Sequence, residues 1–330
     1  MFHRTIQRTA GGTYVVTLPK EYVKSLGLDR KHVVKITLED DRIILHPTGT
    51  KPVIQSKTIR TADFRDPKLL GLAIVNFYIM GHDIAEVVSE GKMTPAQKKS
   101  VREAVENLIG VEIVEDYADR VVLQSLVDPS KFEIDVLLER FTQFSRAIMR
   151  DAAKALSNDD KLLARDAYER GVELTRQYRL MMRICFQALR SSTIRETIKV
   201  GDVSSLVVRI IAVRELGRVA YYCMKMAERV EEAEKSGGEI SMIIDEMVQL
   251  VDNMLEDALQ ALLKHDLGLA SEVIDKMENV RNLYAKAYKQ IIKKPEKEAY
   301  TLGLIIRAVR AIAGYSVALA DDAILEIFSK

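Results

Sequence analysis

Two ten-residue stretches decide the architecture: ALSNDDKLLA at residues 155–164 and ALLKHDLGLA at residues 261–270. In each, an apolar helical end breaks into polar residues, and an aspartate (Asp160, Asp266) stands just before the next apolar-periodic run. Aspartate at that place accepts hydrogen bonds from the free N–H groups of a helix start. Each stretch therefore reads as the corner of a helical hairpin. Ala155-Leu156 recurs as Ala261-Leu262, Leu163-Ala164 as Leu269-Ala270, and Tyr178 as Tyr284. A third helix repeats as well: Leu206 and Ala212-Val213-Arg214 return as Leu302 and Ala308-Val309-Arg310, at a spacing shorter by ten residues. Matches in one order along both halves mark an internal duplication.

Working outward from these corners, helical periodicity runs from Pro129 to the end. The expected helices are Phe132–Leu156, Asp160–Leu189, Val203–Glu234, Ser241–Leu263, Leu267–Ile292 and Pro295–Phe328. Six helices of that length make two three-helix bundles, at 129–236 and 239–330. Upstream, residues 53–127 alternate between short strands and helices. Lys57–Thr61 and Asp83–Ser89 read as strands, Pro67–Met80 and Pro95–Ile109 as amphipathic helices, and Val111–Asp116 with Arg120–Ser125 as a hairpin. Gly81 and Gly110 end the two helices, as glycine caps do. This is a small α+β module with nothing catalytic in it.

Residues 1–48 are different again. A basic strand, Arg4 to Thr9, turns at Gly11-Gly12 into a β-branched strand, Thr13 to Leu18. Pro19 opens a short helix bearing Lys20 and Lys24, and Gly27 stops it. Val33–Leu38 and Arg42–Leu45 follow as two more apolar runs. A unit of this size buries too little surface to fold alone, so it needs a second copy or another domain. The fold class is thus multidomain and mainly α.

Low aromatic content and no tryptophan fit a mainly helical protein. The net charge is +1, so any nucleic-acid surface must be local. Residues 1–48 hold eight Lys/Arg against five Asp/Glu, a modest excess. Cys185 and Cys223 lie in apolar helical stretches and read as reduced, buried thiols. The N-terminus lacks the apolar core of a signal peptide, and the longest apolar stretch, Leu302–Ile312, is interrupted by Arg307 and Arg310. The expectation is a cytoplasmic protein that is not an integral membrane protein.

The N-terminal segment resembles the swapped-hairpin DNA-binding domains of the AbrB, SpoVT and MazE family. The residues that carry this are Arg8-Thr9, Gly11-Gly12, Thr13-Tyr14-Val15-Val16-Thr17-Leu18-Pro19-Lys20, Leu26-Gly27-Leu28 and the Val33–Leu38 strand. The resemblance implies a homodimer in which two chains exchange hairpins. It also implies a DNA surface built from Arg4, Arg8, Lys20 and Lys24, with Arg30 and Lys31 adding phosphate contacts. Cations on one face neutralise phosphates and release counterions, and arginine adds bidentate base contacts. The competing reading is a hairpin that carries solvated charge and only dimerises the chain.

Residues 129–330 resemble PhoU, the phosphate-uptake regulator, in their tandem three-helix bundles, the Asp160 and Asp266 hairpins and the third helices. Together, an AbrB-like head, a small α+β piece and a PhoU-like body look like archaeal phosphate regulators. The resemblance implies a protein that restrains phosphate import, with a phosphate-transporter ATPase or a signalling protein as partner.

The chain departs from that pattern where the family carries metal ligands. The carboxylate positions of each second helix fall on Gly171 and Thr175 in the first copy and on Met277 and Arg281 in the second. On the third helices, the Asp positions become Arg218 and Gly314, and the Asn positions Tyr222 and Ala318. None is a hard-metal ligand. Glu169 and Glu173 are four apart, but a two-residue slip turns a helix by about 200°, so they face away. They read as a solvated face with Arg170 and Arg176, and Glu272, Asp275 and Glu278 read the same way. The expectation is therefore no metal and no other cofactor. Histidines 3, 32, 46, 82 and 265 show no ligand spacing, and no phosphate loop or nucleophile elbow is present, so no enzyme is expected.

Tyr221-Tyr222 with Cys223-Met224 reads as core, or, if exposed, as a partner surface. Arg209, Arg214 and Arg218 read as intrahelix salt bridges or as an anion groove in which Arg218 replaces the metal's charge. Two functions follow from the whole chain. One is a dimeric DNA-binding regulator of phosphate uptake, with bundles that sense a ligand or dock a partner. The other is a DNA-independent adaptor whose head only dimerises it.

Overall fold

The computed structural model describes residues 3–25, 27–28, 33–39, 42–47, 54–233 and 238–328. The chain divides into two units, residues 1–54 and 55–330.

In the first unit, β1 (Gln7–Arg8) pairs antiparallel with β2 (Tyr14–Val15). The turn between them is closed by Thr9 N–H to Thr13 O (2.8 Å) and Gly12 N–H to Thr9 O (3.0 Å). Gly12 lies at φ +84°, a conformation that favours glycine. Both strands are shorter than the sequence pattern implies, and among the described residues each pairs only with the other. Helix α1 (Lys20–Ser25) stops at Gly27, at φ +63°, where Leu28 N–H returns to Val23 O (3.0 Å). Strands β3 (Val34–Glu39) and β4 (Arg42–Pro47) form a second, separate hairpin in the register Ile36↔Leu45 and Leu38↔Ile43. Directly opposite residues share a face, so Ile36, Leu38, Ile43 and Leu45 make one apolar face. Among the described residues of this unit little covers it: Ile36, Leu38 and Ile43 are 61%, 76% and 69% exposed.

The second unit begins with a four-stranded sheet in the order β5-β6-β8-β7. Here β5 (Ser56–Arg60) runs parallel to β6 (Ile84–Val88) through the crossover helix α2 (Pro67–Ile79). After α3 (Pro95–Glu106), β7 (Val111–Asp116) and β8 (Arg120–Ser125) add antiparallel. Thr94 and Gln97 form a capping box at the start of α3. Both helices cover one sheet face, burying Leu70, Ile74, Val101, Ala85, Val87 and Leu123 in a core of their own.

The body follows as α4 (Ile134–Asn158), α5 (Lys161–Arg190), a short α6 (Ser192–Thr197), α7 (Val203–Glu232), α8 (Glu239–Lys264), α9 (Leu267–Ile291) and α10 (Glu296–Ile327). The duplicated corners are built alike. Asp159 and His265 take left-handed conformations at φ 57° and 55°. Asp160 and Asp266 cap the next helices by accepting from Leu163 N–H and Leu269 N–H, each at 3.0 Å. The first half is longer here because α5 runs 30 residues against 25 in α9 and because the α5–α7 connection holds α6.

The two bundles share one continuous core. Periodicity shows that each helix buries a face but not which helix covers it, so this continuity was not legible beforehand. Helices α7 and α10 lie at its centre and bury residues around much of their circumference, Leu206, Val213 and Leu216 on α7 and Ile305, Val309 and Ile312 on α10 among them. Among the described residues α10 is the one helix long and apolar enough to span a membrane by composition, yet half of that apolar window is buried in the body. A central bundle helix needs that composition.

Charged side chains tie the bundles together. Arg146 of α4 pairs with Asp252 (2.8 Å) and Glu256 of α8, and Arg150 with Asp252 (3.1 Å). Arg209 of α7 pairs with Asp135 of α4 (2.7 Å) and Glu326 of α10 (3.2 Å). The expectation of intrahelix pairing is thus overturned for Arg209, whose partners come from two other helices. The α+β module is clamped to α5 in the same manner. Arg183, fully buried, donates to Tyr78 O (3.0 Å), His82 O (2.6 Å) and Asp83 Oδ1 (3.0 Å), with its guanidinium 5.0 Å from the Tyr78 ring centre. Arg190 donates to Met80 O and Gln187 to Gly81 O (3.3 Å). These donors reach carbonyls at and just beyond the C-terminal end of α2, where positive charge is favoured.

Candidate functional site

Two places bring together residues that the sequence singled out. The first is the N-terminal unit. Arg4 precedes β1 and donates to His3 O (3.0 Å), and Arg8 ends that strand. Lys20 and Lys24, four apart, share one face of α1. All four side chains are exposed, and among the described residues none is paired with a carboxylate. Arg30 and Lys31 lie outside the described residues. A small unit thus combines solvated cations with an exposed apolar hairpin face.

The second is a pocket of about 210 Å³ between α5 and α7 in the first bundle. Its polar lining comes from Thr175, Tyr178, Arg214 and Arg218, with Tyr221 and Met224 at its apolar wall. Two glycines bring the helices this close. A Cβ on Gly171 would stand 2.7 Å from Met224 Cβ, and one on Gly217 would stand 2.6 Å from the Tyr178 ring. Arg214 Nη1 donates to Tyr178 Oη at 2.9 Å. Tyr221 is half-exposed, and Tyr222 packs between it and Tyr315 of α10, with ring centres at 5.3 and 6.0 Å. Of the two alternatives for this patch, Tyr222 takes the core role and Tyr221 the exposed one.

Two of the first bundle's ligand positions in the resembled family, Thr175 and Arg218, line this pocket, and the residues at those positions do not fit a metal. Gly171 presents no side chain, its space is taken by Met224, and Arg218 brings positive charge where a carboxylate would be needed. In the second bundle Met277 packs against the core and Arg281 pairs with Glu278 (3.2 Å). No cluster of three or more His, Cys, Asp or Glu suited to a metal occurs among the described residues. Glu169 and Glu173 pair with Arg165 (3.3 Å) and Arg176 (2.9 Å) on the surface.

Elsewhere the body holds titratable groups that the sequence did not reveal. Glu215 of α7 and Asp322 of α10 interact between the two bundles, and Glu215 Oε2 and Asp322 Oδ2 are buried there without a hydrogen-bond partner among the described residues. Burial, the Glu215 carboxylate and Asp321 push the Asp322 carboxyl up to about 8, against the lowering effect of Arg209. Burial likewise raises the Cys185 thiol to about 12 and pushes Cys223 up, which leaves both unreactive.

Comparison with known proteins bears on both places. The PhoU domain family model matches residues 138–230 and 244–323, just over half the chain. The model "Antidote-toxin recognition MazE, bacterial antitoxin" matches residues 7–53. Among solved structures, the phosphate transport system regulatory protein PhoU from Streptococcus pneumoniae superposes with a TM-score of 0.52 at 17% identity, covering 60% of this chain and 94% of that one. PhoU from Pseudomonas aeruginosa does so with a TM-score of 0.52 at 19% identity, covering 60% of this chain and 96% of that one. No curated protein sequence matches the chain significantly.

Proposed function

The chain belongs to the PhoU domain family, whose members regulate phosphate transport rather than catalyse a reaction, and from that premise we propose that it is a cytoplasmic, dimeric, DNA-binding regulator of phosphate uptake. In this reading residues 1–48 dimerise and bind DNA, residues 53–127 join head to body, and the bundles at 129–236 and 239–330 receive the signal from a ligand or a transport partner.

The observation that carries the proposal is the N-terminal unit itself. A MazE-type match lies over two hairpins that, among the described residues, do not pair with each other and that leave Ile36, Leu38 and Ile43 exposed. An isolated two-stranded hairpin is marginal in water, and an exposed apolar face of this kind marks an interaction surface. A second copy with the same two hairpins covers it by exchange. Dimerisation doubles the set of Arg4, Arg8, Lys20 and Lys24, and repeats it about a two-fold axis, as a palindromic DNA site requires.

The test uses the full chain. Light scattering gives the mass in solution, and a gel-shift titration follows binding to promoter DNA of the phosphate-transporter genes in its own genome. The expected result is a dimer whose binding weakens with salt and weakens further in an Arg4→Ala/Arg8→Ala variant. A dimer that binds none of these DNAs at low salt would instead establish the adaptor reading, in which the head only joins two PhoU bodies.

A further inference from the structure

We propose that the α5–α7 pocket of the first bundle is a binding site for a phosphate-class oxyanion, held by Arg214 and Arg218. The two arginines are four residues apart on α7, so both guanidiniums project from one face, and they repel each other. The other arginines of the body are mostly compensated: Arg146, Arg150, Arg170, Arg176, Arg209 and Arg229 each pair with a carboxylate. Arg214 has only the neutral Tyr178 hydroxyl, and among the described residues Arg218 has no ion-pair partner. Two adjacent uncompensated cations on the wall of a concave pocket concentrate anions there.

The donor set favours a tetrahedral oxyanion over a carboxylate. Tyr178 Oη accepts from Arg214 and so keeps its own proton free to donate, and the Thr175 hydroxyl is a fourth donor on the opposite helix. A phosphate group offers three or more acceptor oxygens to such a set, while a carboxylate offers two. Guanidinium groups suit bidentate phosphate contacts. The half-exposed Tyr221 ring and Met224 at the apolar wall leave room for a phosphate monoester as well as the free ion.

The duplication supplies an internal comparison. Arg310 and Tyr284 repeat Arg214 and Tyr178, with the Arg310 guanidinium 4.9 Å from the Tyr284 ring centre. But Gly314 replaces Arg218, and Arg281, in place of Thr175, is taken up by Glu278. The second bundle thus has one tethered cation and no pair. One site per chain follows, and it does not rest on DNA binding by the head.

Isothermal titration calorimetry of the full-length protein in phosphate-free, low-salt buffer tests this, with inorganic phosphate in one arm and adenosine monophosphate in the other. One equivalent per chain should bind in at least one arm, and the tighter arm identifies free ion or monoester. Arg218→Gln should weaken it at least tenfold and Arg214→Gln likewise, with circular dichroism confirming intact helices. Arg307→Gln, an exposed arginine of α10 outside the pocket, should leave it unchanged. No heat in either arm for the wild-type protein, or equal binding in Arg218→Gln, would overturn the proposal.

Discussion

Replacing Arg183 with alanine should loosen the α+β module from the helical body without unfolding the body. Arg183 is fully buried, and its guanidinium makes two bonds to carbonyls at and just beyond the end of α2 and one to Asp83. Burial disfavours its charged form, opposed by the Tyr78 and Asp83 contacts. Each charge-assisted bond contributes on the order of 1.5–3 kcal/mol before that desolvation is subtracted. Removing one member of a buried charged pair costs about 3–5 kcal/mol. Not all is lost, since Tyr78 O keeps Gly81 N–H (2.9 Å), Asp83 keeps Gln55 N–H (3.0 Å), and Arg190 and Gln187 still reach α2. The expected loss is therefore at the lower end, about 3 kcal/mol, or roughly a hundredfold in an opening constant. Amide hydrogen exchange reads it directly. Protection in α2 and β6 should fall by about that factor, while α8 and α9 hold theirs. Unchanged α2 protection would refute the clamp, and equal losses in α8 and α9 would show that module and body open as one.

Two further outcomes follow from the same structure. Asp322, held protonated by burial beside Glu215, has a native pKa near 8 against a lower unfolded value. The native state then binds the extra proton between about pH 4 and pH 8, so this group's contribution to stability falls as pH rises through that window. Asp322→Asn should flatten this dependence and raise Tm at pH 8, measured by thermal melts across pH. Gly171→Val forces a side chain against Met224, and overpacking of this kind should cost about 1–3 kcal/mol in urea unfolding.

What was legible in the sequence was whatever repeats with a period. The helix ends came within a few residues because aspartate caps and polar breaks mark them, and the Asp160 and Asp266 corners recur as read. The short α6 was missed because six residues carry too little periodicity. Buried arginines were missed for another reason. Arg183 and Arg209 sit in helical runs where arginine ordinarily marks solvent, and their carboxylate partners, Asp83 and Asp135, lie 100 and 74 positions away. Arg209, Arg214 and Arg218 read from the sequence as intrahelix salt bridges or as an anion groove; Arg209 pairs with other helices instead, while Arg214 and Arg218 line the pocket. Their closeness to Tyr178 depends on Gly217 and Gly171 letting α5 and α7 approach, which spacing does not reveal.

The most direct test of the proposed DNA-binding head is the salt dependence of DNA affinity, measured by fluorescence anisotropy for the wild-type protein and an Arg4→Ala/Arg8→Ala/Lys20→Ala/Lys24→Ala variant. The logarithm of affinity should fall linearly with the logarithm of salt, with a slope near −0.9 for each phosphate neutralised. The variant should bind more weakly and with a slope shallower by about 0.9 for each contact removed. A wild-type slope near zero, or a variant slope equal to the wild type's, would contradict the assignment of these four cations to DNA.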